Sequence, residues 1–321
     1  MNRNLIIKIQ KEIRARKDAL RESVFSGIHL AETTEKIIFP QNVYIPRDYN
    51  NIDQWYFSGF LIQLEKQLIV VDPGVDFYSR FTTTKYSFSD ITAIICTHSH
   101  IDHASSLPIF LEKILRYKNN NFKLFITQDT LDTKIPEYIK DQLKKEENAA
   151  KLFILKDENK KIIVNSLGEY SIEFLPLFHS CPDTFGFKVI KEKTPIAGYV
   201  SDTGYSKEVK TSTGIEMPES VEGEFLEIAN KHEYIKSFFT DCKNLVININ
   251  DLQYNRHTKY HLCAWDVLDM CEGSMVKKII LQHLSSINAD GEDSNYLYKL
   301  FFHGEQYEAV LPTYTEKTIN I

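Results

Sequence analysis

Apolar positions along this chain recur in two spacings, one helical and one strand-like. Ile6, Ile9, Ile13, Leu20 and Val24 lie close to helical spacing over 4–26, with Lys, Arg and Glu between them and Gly27 as a stop. An extended lead-in holding Pro40 and Pro46 is predicted over 31–51. The period then shortens. Trp55–Leu64 and Gln67–Asp72 read as a hairpin about Glu65-Lys66, its second arm ending in Asp72-Pro73-Gly74. A loop runs to Asp90, and Ile91–Cys96 is apolar throughout, as in a buried strand. Leu107, Phe110, Leu111, Ile114 and Leu115 mark a helix face, Leu124–Thr127 a short strand, and Ile135–Ala150 a charged helix.

Strands follow at Leu152–Leu155, Lys161–Asn165, Tyr170–Leu177, Phe185–Ile190 and Pro195–Ser201. Residues 206–243 break the rhythm. They are polar and acidic, with a helix expected over Phe225–Phe239, and read as an insertion able to act as a lid. A strand at Leu245–Ile249, a helix from His261 to Cys271, a strand at Val276–Leu281, a helix at Asn295–Phe302 and a strand at Ala309–Leu311 complete the pattern. No internal repeat or linker divides it, so a single domain over 1–321 is expected, with 1–50 as N-terminal helix and lead-in.

Composition narrows the class. With 43% hydrophobic and 26% charged residues the chain is an ordinary globular sequence. No apolar run approaches membrane-spanning length and no leader pattern opens the sequence, so a cytoplasmic protein without a membrane partner is expected. Cys96, Cys181, Cys242, Cys263 and Cys271 are scattered and form no Cys-x-x-Cys, which argues against a disulfide frame or a structural zinc site. A net charge of -6 disfavours a dedicated nucleic-acid binder.

The densest chemistry follows the Ile91–Cys96 strand: Thr97-His98-Ser99-His100-Ile101-Asp102-His103. His-x-His places two imidazoles on one side of an extended backbone. Asp102-His103 then turns the corner toward a second point, and His and Asp suit zinc and its neighbours, so the pattern suggests two metals. Asp72, His179, Asp202 and His283 stand where predicted strands end, and strand ends converge at one edge of a sheet. His29, His232 and His303 have no such setting.

In that order these residues resemble the five motifs of the metallo-β-lactamase superfamily, over roughly residues 54 to 286. The resemblance implies an α/β fold, a four-layer αββα sandwich with the site along one edge. It implies that one metal takes His98, His100 and His179, a second takes Asp102, His103 and His283, Asp202 bridges them, and Asp72 holds the ligand loop by hydrogen bonds. Asp202 resembles the hydrolase branches; true β-lactamases carry Cys there. Lys259-Tyr260-His261-Leu262-Cys263-Ala264, with Ile279-Ile280-Leu281-Gln282-His283-Leu284-Ser285, looks like the end of the ribonuclease Z-like phosphodiesterase branch. There a His at a helix start contacts the scissile phosphate or protonates the leaving group, and His261 is the match. That branch has an acidic residue just after this His, whereas Leu262 follows here and Asp266 lies one turn on. It also carries a transfer-RNA arm between the positions of His179 and Asp202, for which two strands and a Thr194-Pro195 turn leave no room.

The expectation is therefore a dinuclear metal-dependent hydrolase, a phosphodiesterase for a small phosphodiester such as a cyclic or short nucleotide. The expected nucleophile is a hydroxide bridging the metals, oriented by Asp102, with His261 serving the leaving group. Zinc is the default ion, with manganese or iron as alternatives. Long nucleic acid is disfavoured, because an acidic lid repels polyanions. A homodimer using the N-terminal helix follows by analogy. The alternatives are a ribonuclease Z-like RNA endonuclease, a lactone, ester or thioester hydrolase, and a non-catalytic regulatory member of the fold.

Overall fold

The computed structural model describes residues 35–40, 59–116, 122–145, 148, 151–156, 163–205, 209–211, 214–216, 232–251, 260–283, 307–310 and 317–321. These all fall in one compact unit, Glu35–Ile321. The expected helices over 4–26 and 295–302 lie outside the described residues, as does 55–58 of the predicted hairpin.

Strands β1 (Lys36–Phe39), β2 (Phe60–Leu64), β3 (Gln67–Val71), β4 (Ala93–Cys96), β5 (Lys123–Thr127) and β6 (Leu152–Leu155) lie side by side in one sheet. Strands β7 (Ile163–Leu167), β8 (Tyr170–Pro176), β9 (Phe185–Lys191) and β10 (Thr194–Val200) begin a second. A separate hairpin, β11 (Val209–Thr211) with β12 (Gly214–Glu216), precedes β13 (Asn244–Asp251), β14 (Leu262–Cys263), β15 (Lys278–Gln282) and β16 (Glu308–Val310), which extend the second sheet. β17 (Lys317–Asn320) returns to the first sheet beside β1. Pairing is parallel from β3 through β6, and again from β10 through β13 and β15 to β16.

Parallel strands buried on both faces read as unbroken apolar runs, and period two divides each run between two cores. In β3 and β4, Ile69, Val71, Ala93 and Ile95 face a core shared with Phe174, Phe187, Tyr199, Val246 and Ile280 of the other sheet. Their neighbours Leu68, Val70, Ile94 and Cys96 face the opposite way. There they meet α1 (Phe77–Thr83) through Phe77 and Phe81, α3 (Leu107–Arg116) through Leu107, Phe110 and Leu111, and α5 (Glu137–Leu143) through Ile139 and Leu143. Between these helices lie α2 (Ile101–Ala104) and α4 (Gln128–Lys134). On the far side, Leu245, Ile247, Ile279 and Leu281 pack on α6 (232–239), through Ile235, Phe238 and Phe239, and on α7 (Ala264–Cys271), through Val267 and Met270. Three cores separate four layers, αββα.

Four details differ from the sequence reading. The loop expected before Asp90 contains α1, whose Phe77 and Phe81 are fully buried. The charged helix expected over 135–150 is the shorter α5, which starts after Pro136, and before it stands α4, which was not expected and starts on an N-cap in which Thr127 Oγ1 accepts from Thr130 N. The β9–β10 turn is at Glu192-Lys193, both left-handed, rather than at Thr194-Pro195. The 206–243 stretch is not of one kind, since α6 buries three apolar side chains in the outer helix layer of the second sheet.

Candidate metal centre

Two strand-to-loop exits of the first sheet build one wall of the site. β3 ends at Asp72, which takes a left-handed φ of 43°, unusual outside glycine. That bend sends its carboxylate back beneath the loop after β4. Oδ1 accepts from Thr97 N at 2.7 Å, while Oδ2 accepts from Thr97 Oγ1 at 2.8 Å, His103 Nδ1 at 2.9 Å and Tyr199 OH at 2.8 Å. A buried carboxylate with four donors is well satisfied and rigid. It also fixes the His103 ring, turning Nε2 toward the centre. Beneath the same loop, the Cys96 thiol lies 3.4 Å from the His98 carbonyl. Gly74 completes the cradle. Its backbone lies so close to Asp102 that a Cβ there would sit 1.4 Å from the Asp102 carbonyl oxygen.

The second sheet supplies the opposite wall. His179 leaves β8 and donates from Nδ1 to the Tyr260 carbonyl at 2.8 Å, which leaves Nε2 an acceptor 3.0 Å from His100 Nδ1. Asp202 follows β10, and its Oδ1 accepts from Asn248 Nδ2 at 2.7 Å. Its Oδ2 lies 3.7 Å from His98 Nε2, 3.4 Å from His103 Nε2, 3.7 Å from His179 Nε2, 3.4 Å from His283 Nε2 and 3.6 Å from His261 Nδ1. His283 follows β15 with a left-handed φ of 63°, and its Nε2 donates to Asp102 Oδ2 at 2.8 Å.

The structure thus brings all seven predicted ligands together. They form two groups of donor atoms, each within 4.8 Å of one another: His98, His100, His179 and Asp202; and Asp102, His103, Asp202 and His283. A divalent ion fits this donor set. His98 Nε2, His103 Nε2 and Asp202 Oδ2 are buried and make no hydrogen bond, an arrangement that is costly unless something else coordinates them.

His261 stands beside the centre, its ring 5.0 Å from that of His179 and stacked on His283 at 5.6 Å. It does not open a helix, as the sequence suggested. Leu262 and Cys263 pair with β13, and the α7 capping box is Cys263 with Asp266, so the helix begins at Ala264. Helix-dipole assistance therefore does not reach His261, and Asp266 is engaged in capping. Sequence reasoning missed Asn248 and Gln282, whose side chains stand behind Asp202. The available signal was a polar residue inside an otherwise apolar strand, Leu245-Val246-Ile247-Asn248.

Electrostatics differ between the two groups. Burial, reinforced by His103, pushes His98 well below its ordinary value; burial also lowers His100, and brings His179 to about 4. Burial opposes charge on His103 and His283 too, but Asp202 and Asp102 outweigh it and raise both. Burial is likewise outweighed at the carboxylates. His103 and His283 hold Asp102 far below the usual range, and His283, His103 and His261 do the same for Asp202. The first imidazole trio is thus pushed toward its neutral form, whereas His103 and His283 hold their protons to higher pH than a free imidazole. An ion entering the second group must displace those protons, so affinity there falls as pH drops through the raised values, above the ordinary 6.5. Affinity at the first group is lost at lower pH, below the ordinary 6.5, where its rings take protons. Calorimetric titration in buffers of different ionisation enthalpy is expected to count more protons released at the second group.

Two facing sheets, helices outside and a His/Asp centre at the edge where strands end define a protein of the metallo-β-lactamase fold. Residues 50–219, more than half of the 321, match the family described as the anti-Pycsar protein Apyc1, and the chain belongs to that family. The matched span contains Asp72 and the site residues through Asp202; His261 and His283 lie beyond it. Solved structures similar in fold include the metallo-β-lactamase fold protein YhfI from Bacillus subtilis, 12% identical, with a TM-score of 0.61, covering 89% of this chain and 98% of its own. The short form of human tRNase Z is 14% identical, with a TM-score of 0.56 and coverage of 90% and 99%. A diphosphatase of the PhnP family is 12% identical, with a TM-score of 0.54 and coverage of 89% and 97%. No curated protein matches the sequence. No helix among the described residues is long and apolar enough to cross a membrane.

Proposed function

We propose that this chain is a metal-dependent hydrolase of a small phosphodiester, such as a cyclic or short nucleotide. One observation carries the reading: two four-donor groups share Asp202 Oδ2, with His261 beside them. In this reading His98, His100 and His179 hold one ion, Asp102, His103 and His283 the other, and Asp202 both. Bound there, two divalent cations, zinc by default, would supply a water of lowered pKa and neutralise charge developing on phosphate oxygens.

The chain's own groups do the rest. Asp72 holds the ligand loop and the His103 ring. Asp102 is the more open of the two site carboxylates, its side chain 15% exposed against 1% for Asp202, so it can orient an incoming water. His261 Nδ1 faces Asp202, leaving Nε2 for the leaving group. Burial lowers the His261 pKa while Asp202 opposes the shift, so a second negative charge from a phosphodiester favours its protonated form.

The surroundings support a small substrate over RNA. Among the described residues, the ion-pair partners of the site carboxylates are all histidines. The short β9–β10 turn leaves no arm for transfer RNA. His261→Ala is expected to retain metal content and to lower kcat toward bis-p-nitrophenyl phosphate by about 10²-fold or more. Equal turnover by the variant would refute the assigned role. A panel of cyclic nucleotides, short oligonucleotides and lactones with zinc- or manganese-loaded protein tests the substrate class; hydrolysis confined to lactones would overturn it.

A further inference from the structure

Behind the bridging carboxylate runs a row of three side chains, one from each of three neighbouring strands. Asp202 follows β10, Asn248 lies on β13, and Gln282 ends β15 as the direct partner of Asn248 in parallel register. All three are buried, at 1%, 2% and 7% exposure. Gln282 Nε2 donates to Asn248 Oδ1 at 2.7 Å, and Asn248 Nδ2 donates to Asp202 Oδ1 at 2.7 Å. The direction of the row is set by chemistry. A carboxylate accepts only, so Asn248 must turn its NH2 toward Asp202; its oxygen then faces Gln282, which must donate. Gln282 in turn immediately precedes the left-handed His283.

We infer that Asn248, oriented by Gln282, is a positioning residue that makes Asp202 a one-oxygen bridge. Oδ1 is taken by the amide, so Oδ2 alone is presented to the imidazoles of both groups. A carboxylate free to rotate could offer one oxygen to each ion or both to a single ion. The amide row holds the carboxylate against that rotation, with Oδ2 toward the imidazoles. This inference rests on the two-ion reading above, but not on the substrate or on hydrolysis.

The test uses manganese binding and the spin coupling of a bound pair, measured on the full chain. Wild type is expected to bind two Mn(II) and to show the signal of a pair coupled through a single oxygen. Asn248→Leu, which removes the donor, is expected to weaken the second Mn(II) at least 10-fold and to change or abolish that coupling. Gln282→Glu and Gln282→Met separate orientation from packing. An ionised carboxylate in place of the Gln282 amide cannot donate, so it turns the Asn248 amide around and points its oxygen at Asp202; a thioether there only removes the donor. Gln282→Glu should therefore weaken the second ion at least 10-fold more than Gln282→Met, whatever the two metal-free proteins' melting temperatures. Wild-type coupling and affinity in Asn248→Leu would overturn the inference. So would equal binding by both Gln282 variants, or losses that simply follow melting temperature. A wild type that binds no metal would overturn the two-ion reading together with it, whereas two coupled ions without phosphodiester hydrolysis would overturn only the proposed function.

Discussion

Asp202→Ala is expected to empty both ion positions at once and to abolish hydrolysis, whereas loss of any other ligand strikes one group directly. Asp202 is the only residue common to both donor groups, and its Oδ2 lies within 3.4–3.7 Å of five imidazoles. Its removal also takes away a negative charge from His103 and His283, whose raised pKa values depend on it. Those rings then lose their protons more readily, which by itself would favour metal binding. Direct coordination is the larger effect. Loss of a group that merely supports a ligand costs roughly 10–100-fold in metal affinity, and loss of a shared ligand must cost more. Metal content after dialysis against buffered zinc measures it. A variant that still held two ions would remove Asp202 from the bridging position.

Gly74→Ala is expected to be the most damaging single methyl group on the first sheet. The added Cβ would fall 1.4 Å from the Asp102 carbonyl oxygen and 2.3 Å from its carbonyl carbon, and neither backbone atom can swing aside as a side-chain tip could. Gly74 is itself pinned, because its N donates to Asp72 O at 2.7 Å and its carbonyl accepts from Ser106 Oγ at 2.6 Å. The ligand loop must therefore move off the Asp72 carboxylate or the strand exit must unravel, at a cost of about 3–5 kcal/mol. Gly273→Ala is the matching control. Nothing lies within 4 Å of its Cβ position but its φ is 70°, so only strain is added, roughly 1 kcal/mol. Chemical denaturation of the two variants, with metal content measured in parallel, should show a large loss of both stability and metal for Gly74→Ala and a small loss of stability alone for Gly273→Ala.

Much of this centre was legible before any coordinates, for a physical reason. Parallel strands buried on both faces are unbroken apolar runs, so a polar residue that ends one is conspicuous, and Asp72, His98, Asp202 and His283 all end such runs. The αββα layering follows from the same runs, since each must feed two cores. What was not legible depends on partners distant in sequence. Asn248 looks like an ordinary polar residue until β10 and β15 are placed on either side of it. The helix expected at His261 begins three residues later because Leu262 and Cys263 are held by β13, a pairing that no local pattern announces. α1 was missed because its buried face amounts to Phe77 and Phe81, with Arg80 between, in a stretch otherwise of Tyr, Ser and Thr.

The two donor groups share a residue, yet they are completed at very different points along the chain. His98, His100, His179 and Asp202 have all been synthesised by residue 202, when β13, β15 and α7 do not yet exist. The second group waits for His283, which hydrogen-bonds to an aspartate 181 residues earlier. Even the first group needs later residues, since Tyr260 orients His179 and Asn248 orients Asp202. Both donor groups therefore take their final geometry only once the second sheet is finished.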